Sequence, residues 1–525
     1  MIPASSPKSS FKMKVRRAMP QILAVMVKNC LMLSFGMNLG YSTVLIGGVP
    51  QKSSGEFGNV SENQVSWLGS TTLLTILIGS LFSGLATQPL GRKRSMQLIT
   101  IPFIICWIIF HYASQMWHLY FALAIMGIFG GLVEAPFSAY VSEITQPYLR
   151  GILSITGSLS ALIGILIQFI LGTFQPWRTC ALISCAFPIL TFILFCFVPE
   201  SPYWLLLNGK VEEAKMNLAW LRGWTTIEDI GYEIDEMAKR YVKDDFTVKK
   251  SKFESYRHFL KKSFIWPFGL ATFMFALANF TGASTLQTYA ISIFATLRVP
   301  IDTYYATILL GLSQLVASLI GAALIHVIGK RLLLFISLVG ICICNVLLAT
   351  YAYVIDAKYI ILVSDNTTEQ NLGTDVYTWV PLMLLISLTC IDHIGNNLIP
   401  WVIIGEIFSY ETRLSACGFA SSASYLLNFL SNNMFLRIVS TITIPGMYYL
   451  YGGISFVGVI VLYFALPETE GKTLEEIADH FHGVSKLDNK VRRNTKDISK
   501  ACGNDNPSFS NDSRIAFEDE SVSHL

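Results

Sequence analysis

GRKRS, Gly91 to Ser95, is met a second time as GKR at Gly329 to Arg331, and each copy is followed by the same two motifs in the same order. SEITQPYLRG, around Glu143 and Arg150, returns as GEIFSYETR around Glu406 and Arg413, and PESP at Pro199 to Pro202 returns as PETEGKT at Pro467 to Thr473. About six hydrophobic stretches lie between each motif and its repeat. Two homologous halves in parallel order are implied. A membrane protein built this way places its cargo site between the halves near mid-membrane and rocks one half against the other.

Composition agrees with a chain dissolved in lipid. Of 525 residues, 53% are hydrophobic and only 14% charged, and the mean hydropathy is +0.52, which is too apolar for a water-soluble protein of two domains. The formal charge of +3 comes from basic residues scattered over loops, so no nucleic-acid partner is expected. Most of the ten cysteines fall in apolar stretches as small hydrophobes, without paired metal spacing. No nucleophile–base set, metal cluster or phosphate loop stands out, so neither an enzyme nor a cofactor or metal is expected. A spanning helix needs about 20 apolar residues. About twelve such stretches can be drawn: 21–49, 64–90, 96–113, 118–142, 151–174, 177–198, 264–296, 301–328, 332–355, 377–405, 414–438 and 445–466. The expected fold is an all-α membrane protein with twelve transmembrane helices in two pseudo-symmetric six-helix bundles.

Lysine and arginine set the orientation. The N-terminal tail and the loops after even-numbered segments hold Arg16, Arg17, Arg92, Lys93, Arg94, Arg150, Lys249, Lys250, Lys330, Arg331 and Arg413, while the opposite loops hold few basic residues. Both termini and the middle loop are therefore expected on the cytoplasmic side. Two sequons, at Asn59 and Asn366, fall in opposite-side loops and are expected to carry glycans, whereas those at Asn279 and Asn511 are not. The basic N-terminus runs into a segment too long for a signal peptide and reads as a retained anchor. The expected organisation is a tail 1–20, a bundle 21–198, a linker 199–262, a bundle 263–466 and a tail 467–525, disordered after about 485. Within the linker, KVEEAKMNLAWLRG sets Val211, Ala214, Leu218 and Leu221 on one face of an amphipathic helix. Continuation of the helix past Gly471, in TLEEIADHF, is also expected.

These charged motifs, with PWVIIGE opening at Pro400 and Trp401, resemble the sugar porter family of the major facilitator superfamily, and within it the insect facilitated trehalose and glucose transporters. The resemblance covers about residues 20–480. It implies a central sugar cavity, alternating access, and a multi-pass location, read as the cell membrane. A cytoplasmic gate is expected of Arg92, Glu143, Arg150, Glu200, Arg331, Glu406, Arg413 and Glu468. The acid-to-arginine spacing is seven residues in both halves, so each acid can meet an arginine across the interface only when that side is shut, through a directional, charge-assisted contact.

The pocket departs from the family pattern. Where the seventh helix usually reads QQLSGINAVFYY, this chain reads ANFTGASTLQTY from Ala278 to Tyr289. Ser158 stands for the fifth-helix glutamine, Leu123 for the fourth-helix arginine, and GPGPIPW becomes GNNLIPW from Gly395 to Trp401. Gln88 and Pro89, and again His326 and Val327, replace the acid and arginine before the basic loop. The groups left to contact cargo are Asn279, Ser284, Gln287, Gln314, Asn397, Trp401, Tyr425 and Asn428. Neutral donors and acceptors beside an aromatic ring suit a polyol. Ser42 in GYST stands where proton-coupled members place an aspartate, which favours facilitated diffusion of a hexose or trehalose-like disaccharide. The alternatives are another solute or proton coupling, for which Glu134, Asp392 and His393 are the intramembrane titratable groups, and a non-transporting sugar sensor. Lys28, inside segment one, is accounted for only by snorkelling or by pairing with Glu134.

Overall fold

The computed structural model describes residues 7–50, 57, 60–226, 228–231, 233–234, 237, 262–361, 376–408, 413–482, 487 and 491. Among them every regular element is helical. Asn59, Asn366, Asn511, the basic run at Lys249 and the tail beyond 491 lie outside the described residues.

Among the described residues, ten helices are long and apolar enough to cross a membrane. Segments one to six are Ala18–Gly48, Glu62–Leu90, Arg92–Tyr112, Met116–Ile144, Leu149–Phe174 and Trp177–Cys196. Segments eight to ten are Thr303–Ile328, Lys330–Val354 and Trp379–Ile407. The last long helix, Arg413–Ala465, contains non-helical backbone at Thr443 (φ 66°) ahead of Pro445 and so forms two arms, segments eleven and twelve. The Ile444 N–H that this break releases donates to the carbonyl of Lys358 at 3.1 Å. Segment seven supplies the twelfth span in three pieces: Lys262–Phe280, Ala283–Thr288 and Ala290–Thr296.

Small residues set how closely the segments approach, as expected where lipid removes the hydrophobic drive between helices. A Cβ at Gly36 of segment one would fall 2.0 Å from the Ala161 carbonyl oxygen of segment five, and one at Gly131 of segment four 2.3 Å from that of Ile76 in segment two. Both helix pairs are in backbone contact at these points. The two arms of the last helix pack against segments seven and nine. Segments two and eleven join the halves along one seam, and segments five and eight along another.

Two helices pack beyond the first six segments, Pro202–Leu207 and Val211–Leu221. Ala214, Leu218 and Leu221 are buried as the amphipathic spacing expects, whereas Val211 stays 42% exposed at the helix start. The helix Leu474–His482 seats Ile477 and Phe481 in the apolar cluster of the second half.

Candidate functional site

The repeated charged motifs meet at one end of the molecule, the basic end. Glu200 turns back onto the start of segment three, where its carboxylate accepts the backbone N–H groups of Arg92 (3.0 Å), Lys93 (2.9 Å) and Arg94 (3.2 Å). Glu468 does the same at segment nine, accepting those of Lys330 (3.2 Å) and Arg331 (3.0 Å). A carboxylate there satisfies donors that a helix start leaves unpaired and suits the positive end of its dipole. The residues before these helices are Gly91 and Gly329, at φ +93° and +92°. A Cβ would come within 2.6 Å of Glu200 Oε2 or 2.8 Å of Glu468 Oε2. Backbone angle and space thus both require glycine, which is why the motif begins with it.

Ion pairs sit beside each helix start. Arg92 grips Glu143 through Nε (3.0 and 3.1 Å) and Nη2 (2.8 Å), and Ser201 Oγ also donates to Glu143. In the second half Lys330 Nζ lies 2.7 and 2.9 Å from Glu406 and 2.9 Å from Glu470, which His326 Nδ1 also meets at 3.0 Å. Burial raises the Glu470 carboxyl, but its hydrogen bonds with Lys330 and His326 outweigh this and hold it below the usual carboxylate range.

In this arrangement the acids take partners within their own halves, which the sequence had not named for them. Glu143 pairs with Arg92 of its own half and not with Arg150, which is exposed and donates to the Thr145 carbonyl at 3.4 Å. Glu406 pairs with Lys330, which the sequence reading counts for orientation but not for the gate. Arg331 donates instead to the Tyr463 carbonyl at 2.6 Å and lies against the rings of Phe335 and Tyr463. Glycine fixes the register: the residue directly after it leaves the helix start toward the neighbouring acid, and that residue is Arg92 in one half and Lys330 in the other. Counting from Gly91 and Gly329 is the signal that would have found Lys330. Arg413 opens segment eleven, and its side chain lies outside the described ones.

A second set of groups lies deeper, between the halves. Ser284 donates to Asn428 Oδ1 at 2.6 Å, and Asn432 Nδ2 donates to the same oxygen at 2.7 Å. Gln314 Nε2 donates to Gln287 Oε1 at 3.2 Å, while the Gln287 carbonyl accepts Thr43 Oγ1 of the first half at 2.8 Å. Trp401 is 39% exposed, with its ring 4.9 Å from that of Phe275 and 6.2 Å from that of Tyr425. Tyr425 donates at 2.6 Å to Glu134 Oε1, which belongs to the first half. Six of the expected residues are therefore brought together in pairs: Ser284 with Asn428, Gln287 with Gln314, and Trp401 with Tyr425.

Asn279 stands apart from them, because its amide donates to the Phe275 carbonyl of its own helix at 2.8 Å. Asn397 is half-buried at the end of a π-helical turn, Asp392–Asn396. There Asn396 donates to Asp392 Oδ1 (2.8 Å) and Thr281 Oγ1 (3.2 Å), and Asn345 donates to the Thr281 carbonyl (3.0 Å). Sequence reading missed Asn432, which its spacing four residues after Asn428 would have indicated, and missed Thr281 and Asn345, for which no local signal exists. Lys28 is fully buried with Nζ 3.4 Å from the Phe137 ring centre. It has no hydrogen-bond partner among the described residues.

Hydrogen bonds between the halves cluster at the end opposite the charged motifs. Ser66 donates to the Asn433 carbonyl (2.7 Å), Asn433 to Ser70 (3.0 Å), and Arg437 to Asn63 (3.3 Å). Toward the basic end the halves are further joined by Glu134–Tyr425 and Ser80–Ser422 (3.0 Å). Beyond them Ser138, Ser142, Gly405 and Gly418 are exposed on segments four, ten and eleven.

The sequence profile of the family described as "Sugar (and other) transporter" matches residues 28–481. The facilitated trehalose transporter Tret1 of Apis mellifera ligustica is 27% identical over 464 residues, 88% of either chain. Tret1 of Polypedilum vanderplanki is 28% identical over 459 residues, 87% of either chain. Among solved structures, the inward-open xylose transporter XylE from E. coli superposes with a TM-score of 0.68 at 19% identity, covering 86% of this chain and 98% of that one. At that identity the likeness speaks for the fold, which is the twelve-helix fold of the major facilitator superfamily. With its charged motifs duplicated at one end and its polar groups gathered between two bundles, the chain is a multi-pass membrane transporter, not an enzyme, and belongs to the sugar (and other) transporter family.

Proposed function

We propose that this chain carries a hexose or a trehalose-like disaccharide down its gradient by alternating access. The observation that carries this reading is the set of neutral groups between the halves. Ser284, Asn428, Gln287 and Gln314 offer both donors and acceptors, and Trp401 presents a partly exposed ring beside them. Sugar hydroxyls need both roles, and the apolar face of a pyranose stacks on an aromatic ring. The trehalose named for the curated relatives points the same way. Residues 21–198 and 263–466 are the two rocking units, joined by 199–262. Both termini lie in the cytoplasm, the protein resides in the cell membrane, and Asn59 and Asn366 carry glycans. Arg150 and Arg413 complete the cytoplasmic gate when that end shuts; the pairs Arg92–Glu143 and Lys330–Glu406 hold each half rigid throughout.

The test is uptake of labelled glucose, xylose, maltose and trehalose into vesicles containing the purified protein, with and without a pH gradient. Saturable uptake that equilibrates without concentrating, and is indifferent to the gradient, supports the reading. Concentration of sugar driven by the gradient would replace it with proton coupling, and binding without flux would replace it with a sensor.

A further inference from the structure

Where segment seven breaks and segment ten makes its π turn, the second half encloses oxygens that no donor reaches. Asp392 and Asn396 of segment ten, Asn345 of segment nine and Thr281 of segment seven are all fully buried. Asp392 Oδ1 accepts the Asn396 amide at 2.8 Å, and that amide also donates to Thr281 Oγ1 at 3.2 Å. The Asn345 amide donates to the Thr281 carbonyl at 3.0 Å. The remaining oxygens of these groups, Asp392 Oδ2, Asn396 Oδ1 and Asn345 Oδ1, have no hydrogen-bond partner among the described residues. Each shares its carbon with an atom already bonded in the contacts about Thr281, so the three gather around that residue.

Buried acceptors need a donor or a cation. The carboxylate decides between them. Asn396 and Asn397 bear on it with neutral amides, and no lysine or arginine pairs with it among the described residues. His393 Nδ1 lies 3.6 Å from Asp392 Oδ2, beyond hydrogen-bond reach, and meets the Thr389 carbonyl at 3.1 Å instead. A buried charge left without compensation is costly. The donors are all oxygens, which suits a hard cation, and they carry a single negative charge, which a monovalent ion neutralises and a divalent one overshoots. The first piece of segment seven, Lys262–Phe280, ends next to Thr281 and brings the negative end of its dipole to the same place. Half-helix ends at a break are a setting in which membrane transporters hold sodium.

We propose that Asp392, Asn396 and Asn345, with the break of segment seven at Thr281, form a binding site for a small monovalent cation of the sodium type. All the donors are enclosed and belong to the second half, so rocking of the halves does not part them. The ion is resident: it ties segment nine and the π turn of segment ten to the break in segment seven, and is not itself driven across the membrane. The site rests neither on the choice of cargo nor on facilitated diffusion.

The experiment melts the purified full chain in sodium chloride and in choline chloride at equal ionic strength, and measures equilibrium binding of radioactive sodium. Melting should rise by a few degrees with sodium and saturate, as binding to the folded state alone requires, and one ion should be retained per chain. Asp392→Asn keeps the shape and removes the charge. It should weaken sodium binding by about tenfold to hundredfold, the worth of a contact to a charged group, while melting in choline stays the same or rises. Asn345→Ala should weaken binding by about threefold to tenfold. If Asp392→Asn yields no folded protein, Asn345→Ala and Asn396→Ala carry the test. A sodium response that these variants diminish supports the site. Melting indifferent to sodium, a response that choline reproduces, or one that persists undiminished in the variants overturns it, and stabilisation by acid without sodium gives the place to a proton. In vesicles, sugar accumulation driven by a sodium gradient would keep the site but replace its resident role and facilitated diffusion together. Saturable uptake by a chain with no sodium response would overturn the site and leave the transport reading standing.

Discussion

Asn279 and Gln287 sit on one segment eight residues apart, and a sequence reading assigns them the same duty. Their surroundings separate them. The Asn279 amide is spent on the Phe275 carbonyl one turn back, while Gln287 meets Gln314 across helices. Gln287→Ala and Gln314→Ala should therefore each raise the half-saturation concentration for sugar by about threefold to tenfold, the worth of one hydrogen bond of 0.5–1.5 kcal/mol. Asn279→Ala should leave it within about twofold and instead lower thermal stability by about 1 kcal/mol; initial rates against sugar concentration, with melting in detergent, separate the two. A second residue-scale expectation concerns Gly91 and Gly329, whose backbone angles suit glycine alone and whose missing side chains make room for Glu200 and Glu468. Gly91→Ala or Gly329→Ala should destabilise the protein by about 1–3 kcal/mol. A melting temperature that does not move in either variant would contradict the carboxylate-cradle account.

At the scale of elements, segments seven and ten are broken opposite each other. Segment seven turns at Gly282, at φ +99°, where a Cβ would also meet the Tyr451 ring at 2.8 Å. Segment ten widens into a π turn because Pro400 has no N–H to give Asn396 and its ring crowds that carbonyl. Thirteen bonded atoms no longer close there, and the Asn397 N–H reaches the Asp392 carbonyl at 2.8 Å. The two irregular turns are tied by Asn396 to Thr281, so bending one displaces the other. Gly282→Ala should cost about 1–3 kcal/mol and reduce maximal flux more than sugar affinity. Adding Tyr451→Leu should recover only part of that loss, since it relieves the contact but not the backbone angle. Full recovery would mean that crowding alone requires the glycine.

On the scale of the whole molecule, the end of segment twelve and the helix after it are bound to the second half through Glu470. Its carboxyl titrates below the ordinary range once burial and the opposing hydrogen bonds from Lys330 and His326 are weighed. For a depressed carboxyl the stabilisation is complete above the unfolded value of about 4.3 and is lost as pH falls through the folded value. Melting should therefore weaken in acid below about pH 4, by no more than about 1 kcal/mol at this partly solvated site. In Glu470→Gln that part of the pH dependence should be absent, and an unchanged acid profile would remove Glu470 from the docking of this helix. Among the described residues, the hydrogen bonds seen between the halves gather at the end away from the charged motifs, with Glu134–Tyr425 and Ser80–Ser422 nearer the basic end. Arg150→Ala and, separately, Arg413→Ala should accordingly increase labelling at Ser138→Cys from the basic end, and equal labelling in both would exclude these arginines from closure.

What the sequence determined by itself is whatever repeats or runs along the chain. Twelve apolar stretches, the duplicated GRKRS, SEITQPYLRG and PESP motifs, and the basic bias of alternate loops are local patterns, and apolar runs of about 20 residues satisfy their backbone in a bilayer as helices. The family and its twelve-helix fold were legible for that reason. So was much of the polar set, because Ser284, Gln287, Gln314, Tyr425 and Asn428 are uncommon in lipid-facing helices. Tertiary structure alone decided which of these groups meet. Glu143 found Arg92 and Glu406 found Lys330 because a glycine in a left-handed turn aims the following residue, an angle invisible in a motif. Asn279 folded back on its own helix, and Glu134 crossed to Tyr425, because side-chain partners depend on how far apart packed helices lie and how they are rotated. Spacing along one chain fixes neither quantity.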